Sequence, residues 1–194
     1  MAIDSFMAFV PYTGSPLSAE SQVDMSHNSE ELAQPDLQGF AQNQQLFEVD
    51  EYTFDVEQVL NIGSQSSGVG AGKIKFNAFS ITRKIDRASP TLFDMACSGT
   101  AFKQVTLALR KSAGGMTTGQ IFLRFDFKLV GVKTIQWEHD DESPKETVTF
   151  EYGGLLIRYC QQKPDGSLAS SVPGGWNACK NVQDHTTSPI TGRS

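Results

Sequence analysis

Hydrophobic residues along this chain recur mostly at every second position, the period of strands rather than helices. The clearest run is QIFLRFDFKLVGVKTIQW. There Ile121, Leu123, Phe125, Phe127, Leu129, Ile135 and Trp137 share one parity, and Arg124, Asp126 and Lys128 take the other. Val105, Leu107 and Leu109 predict a strand before it. ETVTFEYGGLLIRYC predicts one after it, with Val148, Phe150 and Tyr152 inward and Gly153-Gly154 marking a bulge or bend. A short strand covers Asp4 to Val10. Leu46 to Leu60 alternates as two short strands or as one with a bulge, and Lys73 to Ile85 changes parity around Asn77–Ala78, where a bulge is expected.

Between these runs the pattern changes. Pro11 to Gln45 is polar and rich in turn residues, an insertion with a short helix expected near Ser29–Leu32. RASPTLFDMACSG predicts the best helix. Ser89 serves as N-cap, Pro90 as N1 and Gly99 as a left-handed end, with Leu92, Phe93, Ala96 and Cys97 as the apolar stripe. Lys163-Pro164-Asp165-Gly166 predicts a turn. About seven strands with one short α-helix predict a mainly β fold, an antiparallel β-barrel or sandwich. In the longest strand, Val130, Gly131 and Val132 interrupt the polar parity. Part of its second face is therefore apolar and needs cover, either from the helix at 89–98 or from another subunit.

Composition narrows the function. The chain has 194 residues, a formal charge of −6 and a pI near 5.0, a balance that does not favour a nucleic-acid partner, although it leaves room for a local basic patch. No window approaches the ~18 apolar residues of a membrane span. The start, MAIDSFMAFVP, lacks the cationic n-region and long apolar core of a secretory signal. The expectation is a protein folded in the cytoplasm that leaves the cell only through a dedicated machine. Cys97, Cys160 and Cys179 are odd in number and widely spaced, so reduced, mostly packed thiols are expected rather than disulfides or a zinc site.

Candidate chemistry is sparse. GVGAGKIKF resembles a phosphate loop, but the required first glycine is Ser67, the magnesium-binding hydroxyl position is Ile74, and a strand follows instead of a helix. His139-Asp140-Asp141-Glu142 holds metal-ligand types, yet a charged cluster between two strands is also what an exposed hairpin loop looks like. His27 and His185 lie in polar segments. Asp86 and Asp94 flank the helix start with nothing to perturb them, and Asp86 is expected to pair with Lys84 or Arg87. No enzyme, metal or cofactor is expected.

Gly68 to Gly114 resembles the Hcp (haemolysin-coregulated protein) family of bacterial type VI secretion. There a Gly-rich loop leads into a strand ending T-K-x-x-D-x-[AS]-S-P, then a short helix, a [CA]-x-[GS] turn and a strand ending R-K. The matching residues are Thr82, Lys84, Asp86, Ala88, Ser89, Pro90, Ala96, Cys97, Gly99, Arg110 and Lys111, with the lysine one position late. MAIDSFMAFV is similar to the family's first strand. ETVTFEYGGLLIRYCQQKPDGSLASSVPGGWNACKN is similar to its final strand, its lysine-x-Asp-Gly turn and its closing Gly-Trp-[DN]. The resemblance implies one barrel domain over 1–181, of two packed sheets with one helix and similar to a phage tail tube, followed by a flexible tail at 182–194. It further implies hexameric rings that stack into the inner tube, contact sheath and spike proteins and are expelled when the sheath contracts; the alternative is an exported ring that carries small effectors in its lumen. Ser66, Ser67, Gly68, Val69 and Gly70, with Lys84, Asp86, Arg87, Val130 and Val132, are then expected at the assembly interface.

Overall fold

The computed structural model describes residues 3–34, 36–61, 70–111, 119–139 and 143–190. In chain order the elements are β1 (Ile3–Pro11), α1 (Asp36–Gln42), β2 (Phe47–Glu48), β3 (Glu51–Thr53), β4 (Val56–Asn61), β5 (Gly70–Phe76) and β6 (Phe79–Lys84). They continue with α2 (Ser89–Ser98), β7 (Ala101–Lys111), β8 (Gln120–Glu138), β9 (Lys145–Tyr159), β10 (Val172–Asn177) and β11 (Val182–Gln183).

All strand pairs are antiparallel. β1 pairs β7, β7 pairs β8, β8 pairs β9, and the first half of β9 pairs β6. The segment Phe47 to Thr53 closes the circuit, because β2 pairs β1 while β3 pairs β6. The two residues between them stitch both sides: Val49 N–H donates to Ser5 O at 3.1 Å and Asp50 N–H to Thr82 O at 3.0 Å. The result is an antiparallel barrel of two packed sheets, with the long β8–β9 hairpin belonging to both. Hairpin β4–β5 forms a separate two-stranded sheet, so the parity change at Asn77–Ala78 is a strand break rather than a bulge.

Aromatic rings fill the barrel. Phe79 stacks on Phe127 at 4.3 Å, and Phe9 lies 5.1 Å from Phe47 and 5.6 Å from Phe150. Burial of rings of this size is the main driving force for closure. A second apolar cluster lies outside the barrel, where Met25, Leu32, Ala33 and Leu37 of the insertion pack on Phe6, Ala8, Ala108 and Ile121. The insertion is thus folded onto the outer face of β1, β7 and β8. Its helix begins at Asp36, after turns at 31–34, and not near Ser29–Leu32.

Helix α2 ends as expected, at Gly99 with φ +67° and with Thr100 N–H bonded to Met95 O at 3.2 Å. Its start and its face differ from expectation. Ala88 occupies the N-cap position, and Ser89, Leu92 and Met95 are the buried residues, while Phe93 and Cys97 are exposed. The i, i+3, i+6 spacing of those three suits a helix lying across β8.

Gly153-Gly154 is not a bulge, for the β8–β9 register runs through it unbroken, but the inward parity changes across it, from Tyr152 to Leu155. The glycines serve close approach instead: a Cβ on Gly154 would meet Ile190 Cδ1 at 2.8 Å, and one on Gly175 would meet Asp184 O at 2.1 Å. Residues 178–190 lie along this track as a strap. Within the stretch where a flexible tail was expected, Val182–Gln183 form β11, and Ile190 is buried with its carbonyl accepting Tyr12 OH at 2.5 Å.

Candidate functional site

Arg124, Asp126 and Lys128 do face away from the barrel core, yet they are 2%, 0% and 2% exposed. Two straps cover them. On one side Asp36 of the insertion takes both terminal nitrogens of Arg124 at 2.7 Å, and Leu32 O accepts Arg124 Nη1 at 3.1 Å. On the other, Lys128 donates to Asp184 Oδ2 at 2.9 Å and to Thr186 O at 2.5 Å. Asp126 between them accepts from Arg124 at 2.9 Å, Arg158 at 2.7 Å, Thr106 at 2.8 Å and Gln104 at 3.0 Å. Burial alone would raise the Asp126 pKa, but the charge and hydrogen bonds of Arg124, then of Arg158, hold it below the ordinary carboxylate value. Asp184 goes the same way: burial opposes the shift, while Thr186 and Lys128 bring it down to about 2.

A second polar knot ties β6, α2 and β9 together. Arg83 is buried and donates through Nε to Glu146 Oε1 at 2.9 Å, with Nη2 at 2.6 Å from the same oxygen and Nη1 at 2.9 Å from Asp86. Ser89 Oγ donates to Glu146 at 2.9 Å and accepts from Arg83 and from Asp86 N–H. The Arg83 guanidinium also lies 4.8 Å from the centre of the Phe47 ring. Such a pair adds little net stability, since both ions are desolvated, but loss of one partner costs about 3–5 kcal/mol.

This knot corrects the reading of the motif residues. Counted back from Asp86, the position of the family's lysine is Arg83, so no one-residue shift exists; Lys84 is exposed. Asp86 pairs with Arg83 and not with Lys84 or Arg87. Arg87 is exposed, and its backbone N–H donates to Glu20 at 3.1 Å. Val130 is buried in the barrel core and Val132 packs against it, so Val130 presents no side chain to another subunit. The cause is Leu129, whose φ of +52° turns the strand so that Val130 points inward. Gly70 begins β5, while Ser66, Ser67, Gly68 and Val69 lie outside the described residues, as do Asp140, Asp141 and Glu142.

Two surface features went unnoticed in the sequence. Val56, Gln58, Ile74, Phe76, Leu155, Ile157 and Trp176 line a largely apolar groove of about 330 Å³ between the β4–β5 hairpin and the β9–β10 pair. Large apolar side chains are also exposed at both ends of the β8–β9 hairpin: Ile85, Phe93 and Trp137 at one, Ile3, Tyr159 and Val172 at the other. A barrel of alternating parity hides such residues from sequence reading, because exposure here depends on where neighbouring strands stop. Among the described residues, no group of three or more His, Cys, Asp or Glu is placed to hold a metal ion, and no helix is long and apolar enough to cross a membrane.

A closed antiparallel barrel with a helix across its long hairpin, and with its buried charges spent on strap and helix junctions, defines a structural, assembling β protein. The family described as "Type VI secretion system effector, Hcp" matches residues 38–159, well over half of the chain, and the chain belongs to that family. It is 30% identical over 112 residues to protein hcp1 of Pseudomonas aeruginosa, a match covering 57% of this chain and 69% of that protein. A solved type six secretion system protein superposes with a TM-score of 0.73 at 21% identity, over 94% of this chain and 100% of the other. Hcp1 from Salmonella typhimurium gives 0.60 at 21% identity, over 95% and 100%. At such identities the superpositions establish the fold, and the family match establishes the role: the chain is a type VI secretion tube component, from a family of secreted structural proteins rather than enzymes.

Proposed function

We propose that the chain closes into hexameric rings, that the rings stack into the inner tube inside the sheath and beneath the spike, and that the protein stays cytoplasmic until sheath contraction expels it. One observation carries the ring. Ile85, Phe93 and Trp137 cluster at one end of the β8–β9 hairpin and Ile3, Tyr159 and Val172 at the other, about 45 Å of strand apart, and these two patches differ in composition. Two distinct patches on one chain suit a head-to-tail contact whose rotation closes, while a two-fold dimer would use one patch twice. Exposure of Val172 at 68% and Trp137 at 50% is a liability for a monomer and ordinary for a subunit.

Native mass spectrometry with electron microscopy tests this. The expected result is six times the 21.2 kDa chain mass and ring-shaped particles. Phe93→Glu and Val172→Glu, each at an exposed position, should give folded monomers. Wild-type protein that stays monomeric at high concentration, with no rings, would sink the proposal.

A further inference from the structure

The exposed apolar residues at one end of the β8–β9 hairpin come from the end of β6, from α2 and from β8, and one buried carboxylate ties the three together. Glu146 lies directly opposite Trp137 in the β8–β9 register and is 0% exposed, while Trp137 is 50% exposed. Its two oxygens have different partners. Oε1 accepts from Arg83 Nε and from Ser89 Oγ, both at 2.9 Å, with Arg83 Nη2 at 2.6 Å. Oε2 accepts the indole Nε1–H of Trp137 at 3.2 Å. Ser89 opens α2, and Phe93 stands about one turn further along it, its ring 6.1 Å from that of Trp137. Ile85 follows the end of β6, and its N–H donates to Pro144 O at 3.2 Å. Its neighbour Asp86 pairs with Arg83 Nη1 at 2.9 Å, so Ile85 too is held next to the knot.

We propose that Glu146 is the positioning residue of this patch. It fixes Trp137 directly, and through Ser89 and Arg83 it fixes Phe93 and Ile85, in the arrangement that a second copy of the chain meets. The inference rests on the ring reading above. A buried carboxylate needs a donor at its second oxygen, and a hydroxyl would suffice. What the indole adds is a half-exposed apolar face, held in one orientation beside Phe93. A surface side chain that is ordered before contact loses less freedom on binding, an advantage of about two- to tenfold in affinity per side chain.

The test replaces Trp137 by 3-benzothienylalanine, which keeps the shape and apolar face of the indole but has sulfur in place of the N–H. Two readouts separate positioning from folding. One is the protein concentration at which half of the full-length chain is in rings, read by native mass spectrometry. The other is the thermal midpoint of the same replacement in the Val172→Glu monomer. The half-assembly concentration should rise at least tenfold, because every contact around the ring is weakened, while the monomer midpoint moves by less than about 3 °C. Glu146→Gln, where it folds, should raise that concentration likewise. Arg83 and Ser89 would claim its one oxygen, leaving its NH2 to face the indole donor. Rings that form at the wild-type concentration with the replacement would overturn the positioning role and leave the ring reading standing. A monomer midpoint that falls by more than about 3 °C would mean that the indole serves the buried carboxylate, and would overturn it equally. A wild-type chain that never forms rings would overturn the ring reading, and this inference with it.

Discussion

Single charges decide how the outer face is closed, and Asp184 shows it best. Its carboxylate grips Lys128 at 2.9 Å and accepts the backbone and hydroxyl of Thr186 at 2.9 and 2.7 Å. Its folded pKa of about 2 lies below the ordinary 3.8, so the unfolded chain binds the proton more readily. The clip's contribution is therefore complete above about pH 4 and is lost as the pH falls toward 2. Hydrogen exchange, corrected for intrinsic rates, should show residues 182–190 protected at pH 5 and unprotected near pH 2. Asp184→Asn should lower protection already at pH 5. If that variant exchanges like the wild type at pH 5, the clip does not hold the strap. None of this was legible in the sequence. Arg124, Asp126 and Lys128 read only as the second parity of their strand because their partners, Asp36, Arg158 and Asp184, are up to 88 residues away.

At the scale of elements, alternation located nearly every strand, and it erred wherever one residue left the extended backbone. Leu129 and the register slip between Leu109 and Arg110 each exchange the two faces of a strand, so Val130 turns inward and Ile121 outward. Hydrophobicity cannot reveal such a slip, since both faces of β8 are covered and apolar residues suit either. The paired glycines misled in another way. Their lack of a side chain was visible, but the strap that needs the room comes from later in the chain. Gly175→Ala places a Cβ 2.1 Å from Asp184 O, whereas a Cβ on Gly174 meets nothing within 4 Å. Gly175→Ala should therefore cost about 1–3 kcal/mol and expose residues 178–190 to protease, with Gly174→Ala within about 0.5 kcal/mol of wild type. Equal stability of the two in urea would refute the close-approach account of this strap.

The insertion at 11–45 poses the question for the whole molecule: is it a decoration on the barrel, or part of one folding unit? Its apolar residues share strands β1, β7 and β8 with the barrel core. Phe6 and Ala8 lie in the outer cluster while Met7 and Phe9 lie inside, and Ala108 sits between Leu107 and Leu109. Because the outer faces of these strands are apolar, uncovering them would destabilise the same backbone ladder that carries the inner face. Asp36 further ties the insertion to Arg124, whose own strand supplies Phe125 and Phe127 to the barrel. Leu37 is fully buried and belongs to the outer cluster rather than the inner one, so it separates the two cases. In a single cooperative unit, Leu37→Ala shifts the whole unfolding transition by about 2–5 kcal/mol, followed identically by tryptophan fluorescence and by far-ultraviolet dichroism. In a decorated barrel the dichroism of helix α1 would fade first, while the transition seen by Trp137 and Trp176, both outside the insertion, stayed where it is in the wild type. The shared strands and the Arg124 bridge predict the first result. The insertion would then be a second wall of the barrel, which ring assembly inherits already closed.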